Sequence, residues 1–182
     1  MSREQPAPPV NLLLKGGWVI DPANGIDGPL DVLIGGKTVA RVAADIPPTE
    51  ATQTIDVSGL YVTPGILDIH THVYTFPPQS DSYVEGMNAD AHLFASGVTT
   101  TVDAGTAGWQ DLPDFKTQCI DRAQVRILAF LNVARRGMLD RDSEQSLADL
   151  NPAITAAVAA AYPELIVGIK TAHYWTNQPW DD

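Results

Sequence analysis

The 182-residue chain is 45% apolar and carries a formal net charge of −11, with a pI of about 4.5. That apolar share suits a globular core, and the acidity argues against nucleic acid and against anionic membrane surfaces, which call for a basic patch. The single Cys119 excludes an intramolecular disulfide and fits a reducing, cytoplasmic setting.

Residues 1–10 are polar and proline-rich, without an apolar signal core, and read as a disordered tail. No stretch approaches the roughly 20 apolar residues of a membrane span. Residues 11–63 read as β. Leu12–Lys15 and Trp18–Ile20 are short apolar strands around Gly16-Gly17, and Asp21–Gly25 is a turn. Asp31–Ile34, Gly35-Gly36 and Lys37–Ala43 spell a hairpin. Pro47-Pro48 interrupts the pattern, and Thr54–Val57 resumes it. Short strands with Gly and Pro turns predict a small N-terminal β-sandwich segment.

From residue 64 the rhythm changes to alternating strands and helices. Ile66–His72 is a strand, followed by a Pro-, Ser- and Asp-rich loop over Val73–Gly86. A helix is expected over Asn88–Ser96 with Gly97 as its stop, then a strand over Val98–Ala104. Asp111–Arg122 follows as a helix with Pro113 in its first turn, and Val125–Val133 as a strand. Ser143–Leu150 is expected to be helical. Asn151-Pro152 caps a further helix running to Tyr162, and Leu165–Lys170 is the fourth strand. This alternation implies an α/β fold of parallel strands joined by crossover helices.

The chemistry gathers at the strand ends. Side chains alternate along a strand, so His70 and His72 project together, with Asp68 on the same face and Thr71 turned away. Two adjacent imidazoles grip a divalent metal such as zinc. Asp103, Asn132 and Lys170 end the next three strands, at the edge where such folds keep their active sites. Lys170 serves either a metal bridge or a substrate anion. Asp103 and Asn132 stand as candidate substrate contacts, with loop or hydroxyl support as the plainer role of Asp103. Tyr74, two residues past the pair, and His173, just past strand four, are the other candidates, although a hydrogen-bonded loop histidine is the plainer account of His173.

Three blocks together resemble one family. Gly59–His72, with its Pro64-Gly65, apolar run, Asp68 and His70-Thr71-His72, is similar to the first barrel strand of the amidohydrolase superfamily. Gly97–Gly105 resembles its second strand. Val167–His173 resembles its fourth, where dihydroorotase- and hydantoinase-like branches carry a carbamylated lysine bridging two metals, and Lys170 holds that place. The resemblance runs from about Asn11 onward. It implies a TIM-type (β/α)8 metallohydrolase barrel, whose usual length of about 250 residues leaves residues 64–182 as its first four βα units. Two later histidines and a general-base aspartate of the family then lie beyond Asp182. The implied cofactors are two zinc ions and a CO2-derived carbamate on Lys170. The implied activity is hydrolysis of amide, cyclic-amide or acyl bonds of a small molecule by metal-activated water, as in deacetylases and dihydroorotases. The 182-residue chain alone is expected to be an inactive N-terminal fragment whose open sheet edge favours self-association. The alternatives are a mononuclear deaminase-type relative and a non-catalytic dihydropyrimidinase-like assembly protein.

Overall fold

The computed structural model describes residues 11–75 and 85–175, in two units divided between Pro64 and Gly65. The first unit contains β1 (Asn11–Asp21), β2 (Ile26–Gly35), β3 (Thr38–Ala43), β4 (Gln53–Asp56) and β5 (Tyr61–Val62). They form one five-stranded sheet in the order β3-β2-β1-β4, with β5 also on β1. It supplies a single layer of the expected sandwich. The two short strands expected around Gly16-Gly17 are one strand, because Lys15-Gly16 forms a bulge and pairing with β2 resumes at Gly17. Leu13, Leu33 and Ile46 make the small core. Beside it, buried Asp31 accepts hydrogen bonds from Lys15 Nζ (2.9 Å), Gly16 N (2.7 Å) and Ile46 N (2.9 Å). Burial pushes its carboxyl upward, but these donors outweigh it and hold Asp31 below its ordinary value.

The second unit alternates β6 (Ile66–Thr71), α1 (Ala89–Leu93), β7 (Val98–Gly108), α2 (Leu112–Gln118), β8 (Arg126–Asn132), α3 (Pro152–Ala161) and β9 (Ile166–Lys170). The four strands lie in the order β6-β7-β8-β9 and every pairing is parallel. This is the strand–helix succession of a partial TIM-type barrel. Helix starts follow the caps: Asn88 Oδ1 accepts from Ala91 N (2.9 Å) and Asn151 Oδ1 from Ile154 N (3.0 Å). Gly97 closes the turn after α1 at φ +74°, a left-handed conformation that suits a residue without Cβ. Leu93, Leu112, Phe115, Val125, Ile127, Leu131 and Leu165 belong to the main apolar cluster. The outer strands β6 and β9 each have one edge without a strand partner among the described residues, and Ile69 (62%) and Ile169 (53%) are exposed there.

One expected helix is absent. Ser143–Leu150 runs as successive turns. Its polar groups are drawn toward neighbouring backbone instead: Ser143 Oγ accepts from Arg136 N (3.0 Å), Asp149 O accepts from Arg135 N (2.9 Å), and Leu150 bridges to Ala134. Side-chain and loop hydrogen bonds of this kind compete with helix formation.

Candidate metal centre at the strand ends

Parallel strands that start together also end together. Thr71 of β6 pairs with Asp103 of β7, and Asn132 of β8 pairs with Lys170 of β9. Period-two alternation acts on the first strand as expected. Thr71 turns into the sheet, its Oγ1 2.6 Å from Thr101 Oγ1. The rings of His70 and His72 stand side by side, centroids 5.7 Å apart with their planes at 76°.

His72 is held from behind. Its Nδ1 lies 2.8 Å from Thr106 Oγ1, and Thr106 Oγ1 donates to Asp103 Oδ2 (2.9 Å). A hydroxyl that gives its proton to a carboxylate accepts from its other neighbour, so Nδ1–H of His72 is the donor and Nε2 carries the lone pair. Burial lowers the His72 pKa. Asp103 opposes that shift, while the electrostatic influence of His70, Lys170 and His173 adds to it. The result favours the neutral, metal-binding form of the ring.

Lys170, half-buried at the end of β9, shares this edge. Its stem passes over Gly105: a Cβ built there would lie 2.4 Å from Lys170 Cγ and 2.6 Å from its Cβ. Gly105 also has φ +84°, so the position suits glycine on both counts. Two adjacent imidazoles, one of them oriented and kept neutral, together with a lysine stem seated on a glycine, fit a divalent metal of the zinc type. Among the described residues, no group of three or more His, Cys, Asp or Glu side chains is arranged to hold a metal ion. What the chain brings is the imidazole pair and one amine.

The four candidate substrate contacts separate. Asp103 is fully buried and, besides Thr106 Oγ1, accepts from Val73 N (2.9 Å) and Thr106 N (2.8 Å). It supports the loop and the hydroxyl behind His72 and offers no surface to a substrate. Burial pushes its carboxyl upward against the pull of these donors and of His72. Asn132 is likewise fully buried, and its amide group donates to Gly105 O (3.0 Å) and Glu144 Oε1 (2.9 Å) while its oxygen accepts from Ala134 N (3.0 Å). It ties β8 to its neighbours. Tyr74 turns away from the edge: only 2% exposed, it packs on Phe115 of α2 with ring centroids 4.7 Å apart, and its hydroxyl donates to Asp114. The residues after β6 diverge, because His72 follows the pleat and Tyr74 enters the helix layer. Burial, then Asp114, drives the Tyr74 hydroxyl pKa upward. His173 follows β9 by three residues, and its Nδ1 lies 2.9 Å from Glu144 Oε2.

Sequence reasoning missed Thr106 and Glu144. Thr106 lies past Ala104, where the strand was expected to stop, but β7 continues to Gly108 through the Gly105 kink. Glu144, buried at 1% exposure, bridges Asn132 and His173 from a segment expected to be helical. Its partner His173 lies 29 residues away, and no local pattern links the two.

No family model matches the chain. Among curated proteins it is 52% identical over 64 residues to a dihydroorotase of Citrifermentans bemidjiense, covering 35% of this chain and 15% of that one. To a deacetylase of Agrobacterium fabrum it is 32% identical over 144 residues, covering 77% of this chain and 34% of the relative. A crystal structure of an adenine deaminase superposes with a TM-score of 0.69 at 27% identity, over 87% of this chain and 40% of that one. The chain therefore spans well under half the length of each.

Proposed function

We propose, for a chain that belongs to the amidohydrolase superfamily, that the whole protein is a metal-dependent hydrolase of amide, cyclic-amide or acyl bonds in a small-molecule substrate. The observation that carries this reading is the pair His70 and His72 at the end of β6, with His72 oriented through Thr106 by buried Asp103. His70 and His72 would hold a metal through their imidazoles. Lys170, as the carbamate that its amine would form with CO2 on loss of a proton, would complete the hold on a pair of divalent metals, zinc by donor type. Metal bound there would supply a Lewis acid for the substrate carbonyl and a water nucleophile near neutral pH.

The chain's own residues set the stage for this. Thr106 fixes the tautomer and orientation of His72, as hydrogen-bonded groups behind metal-binding histidines do. Gly105 leaves room for the Lys170 stem. Asp103 and Asn132 hold the ends of β6, β7 and β8 in register behind them. The resemblance implies further metal ligands and a general base outside the segment over which the chain matches its relatives. The whole protein works in a reducing compartment such as the cytoplasm.

A second reading is a single-metal deaminase, and the likeness to an adenine deaminase favours its deaminase part. Lys170 at the end of β9 favours two metals. Metal analysis of the whole protein tests both. Two equivalents, falling sharply in His72→Ala and in Lys170→Ala, are expected for the bridged pair. One equivalent that survives Lys170→Ala supports the deaminase. A protein that keeps its full metal after His72→Ala sinks both.

A further inference from the structure

One peptide unit of β7 is held at both ends by buried side chains. Between the pair Ala104 with Phe130 and the pair Gly108 with Asn132, β7 advances four residues while β8 advances two. The excess is a bulge at residues 105–107, and a bulge leaves its extra residues outside the ladder. Gly105 carries it at φ +84°. Glycine alone does not fix such a pose, because it populates left- and right-handed backbone regions about equally. Hydrogen bonds to the Gly105–Thr106 peptide choose it. Asn132 Nδ2 donates to the carbonyl, Gly105 O, at 3.0 Å, and the N–H of Thr106 donates to Asp103 Oδ1 at 2.8 Å. Asp103 and Asn132 are both fully buried. The Asn132 amide is committed on its other sides too: it donates to buried Glu144 Oε1 (2.9 Å), and its oxygen accepts from Ala134 N (3.0 Å). These partners fix which end of the amide faces Gly105.

Two parts of the strand-end edge depend on this peptide. On one side of it, Gly105 lies under the Lys170 stem, so close that a Cβ would come within 2.4 Å of Lys170 Cγ. On the other, Thr106 meets Asp103 side chain to side chain, although strict alternation puts residues three apart on opposite faces. The bulge makes that reversal and brings Thr106 Oγ1 to 2.8 Å from His72 Nδ1. We infer that Asn132 is a positioning residue of the metal centre: by clamping the Gly105–Thr106 peptide against Asp103, it aims the seat of Lys170 and the hydroxyl behind His72 together. The inference rests on reading this edge as the metal site. Without the Asn132 donor the Gly105 carbonyl loses its partner, and rotation of the peptide carries Thr106 away from His72.

Asn132→Asp keeps the size and the acceptor for Ala134 N, removes the donors, and sets a carboxylate against Glu144. Adding Glu144→Gln relieves that repulsion and returns an amide donor to the new carboxylate, so that Gly105 O is the group left without its donor. Imidazole nitrogen-15 spectra of the 182-residue chain, whose four histidines are assigned by single His→Gln variants, read the result. Wild type and Glu144→Gln alone should show His72 as the Nδ1–H tautomer. In Asn132→Asp and in the double variant the His72 signals should become exchange-averaged, while thermal unfolding shows the double variant regaining stability. If Asn132 only held β8 in place, the Nδ1–H signature would return with the fold in the double variant, and the inference would fail. Wild type gives a test that needs no variant: the side-chain amide protons of Asn132 should exchange slowly with solvent, and rapid exchange would remove the clamp. In the whole protein, zinc affinity measured by chelator competition should fall about 10–100-fold in the double variant, and an unchanged affinity would overturn the inference. A wild-type whole protein that takes up no zinc would instead sink the metal reading, while the metal-free His72 response would leave the clamp standing.

Discussion

Gly105→Ala should destabilise the chain by about 2–5 kcal/mol, in two separable parts. At φ +84° an alanine first meets the left-handed backbone conformation, about 1–2 kcal/mol. Its Cβ then lies 2.4 Å from Lys170 Cγ and 2.6 Å from Lys170 Cβ, an overlap relieved only by moving the lysine stem or the strand, at about 1–3 kcal/mol. Gly97 provides the control in the same unit. It sits at φ +74° with only Ile66 Cδ1 near, at 3.7 Å, so Gly97→Ala should show the backbone part alone, about 1–2 kcal/mol. A double-mutant cycle isolates the contact. Lys170→Gly removes both overlapping atoms, so Gly105→Ala should cost about 1–3 kcal/mol less in that background than in the wild type. Urea unfolding followed by far-ultraviolet circular dichroism resolves a difference of that size. Equal costs in the two backgrounds would refute the claim that Gly105 keeps room for the lysine.

Two further outcomes follow from the buried polar groups. Asp31 is held below its ordinary value of 3.8, so its stabilising contribution is present above pH 3.8 and is lost as pH falls through the lower folded value. Thermal unfolding of wild type should steepen its decline on the acid side of pH 3.8, and Asp31→Ala, weaker at neutral pH by about 2–4 kcal/mol because it strands the backbone N–H groups of Gly16 and Ile46, should show a flatter acid profile. Overlaid acid profiles would remove Asp31 from that role. Tyr74→Phe deletes the hydroxyl bond to Asp114 and should cost about 0.5–1.5 kcal/mol, with metal uptake by the whole protein unchanged. A loss of metal in that variant would return Tyr74 to the strand-end edge.

The parts of this molecule that were legible in the sequence are those written in short-range period. His70 and His72 are two apart on a strand, so alternation alone places them together, and the Asn88, Asn151 and Gly97 signals mark helix ends because capping is a matter of three or four residues. Lys170 was legible as a strand end followed by polar residues. The parts that were not legible depend on side chains meeting across long separations. Asp103 and Asn132 stood at the right strand ends but face inward, where buried N–H groups of Val73, Thr106 and Ala134 claim their acceptors. Glycine misled at Gly105: it reads as a strand terminator, yet here it bends β7 and lets the strand carry Thr106 to His72. Ser143–Leu150 has helical composition, but its first two residues are almost fully buried and committed to neighbours outside the segment.

The outer strands β6 and β9 have a consequence for handling this chain. Each offers a row of unpaired backbone groups among the described residues, flanked by apolar side chains such as Ile69 and Ile169. Strand edges of that kind recruit further strands from the folded state itself. Precipitation would then track the concentration of native protein rather than the small unfolded fraction. Core-stabilising substitutions would raise the population of the adhesive species and bring no gain in solubility. A lysine on the edge, as in Val167→Lys or Ile169→Lys, is the change that should keep the chain dispersed.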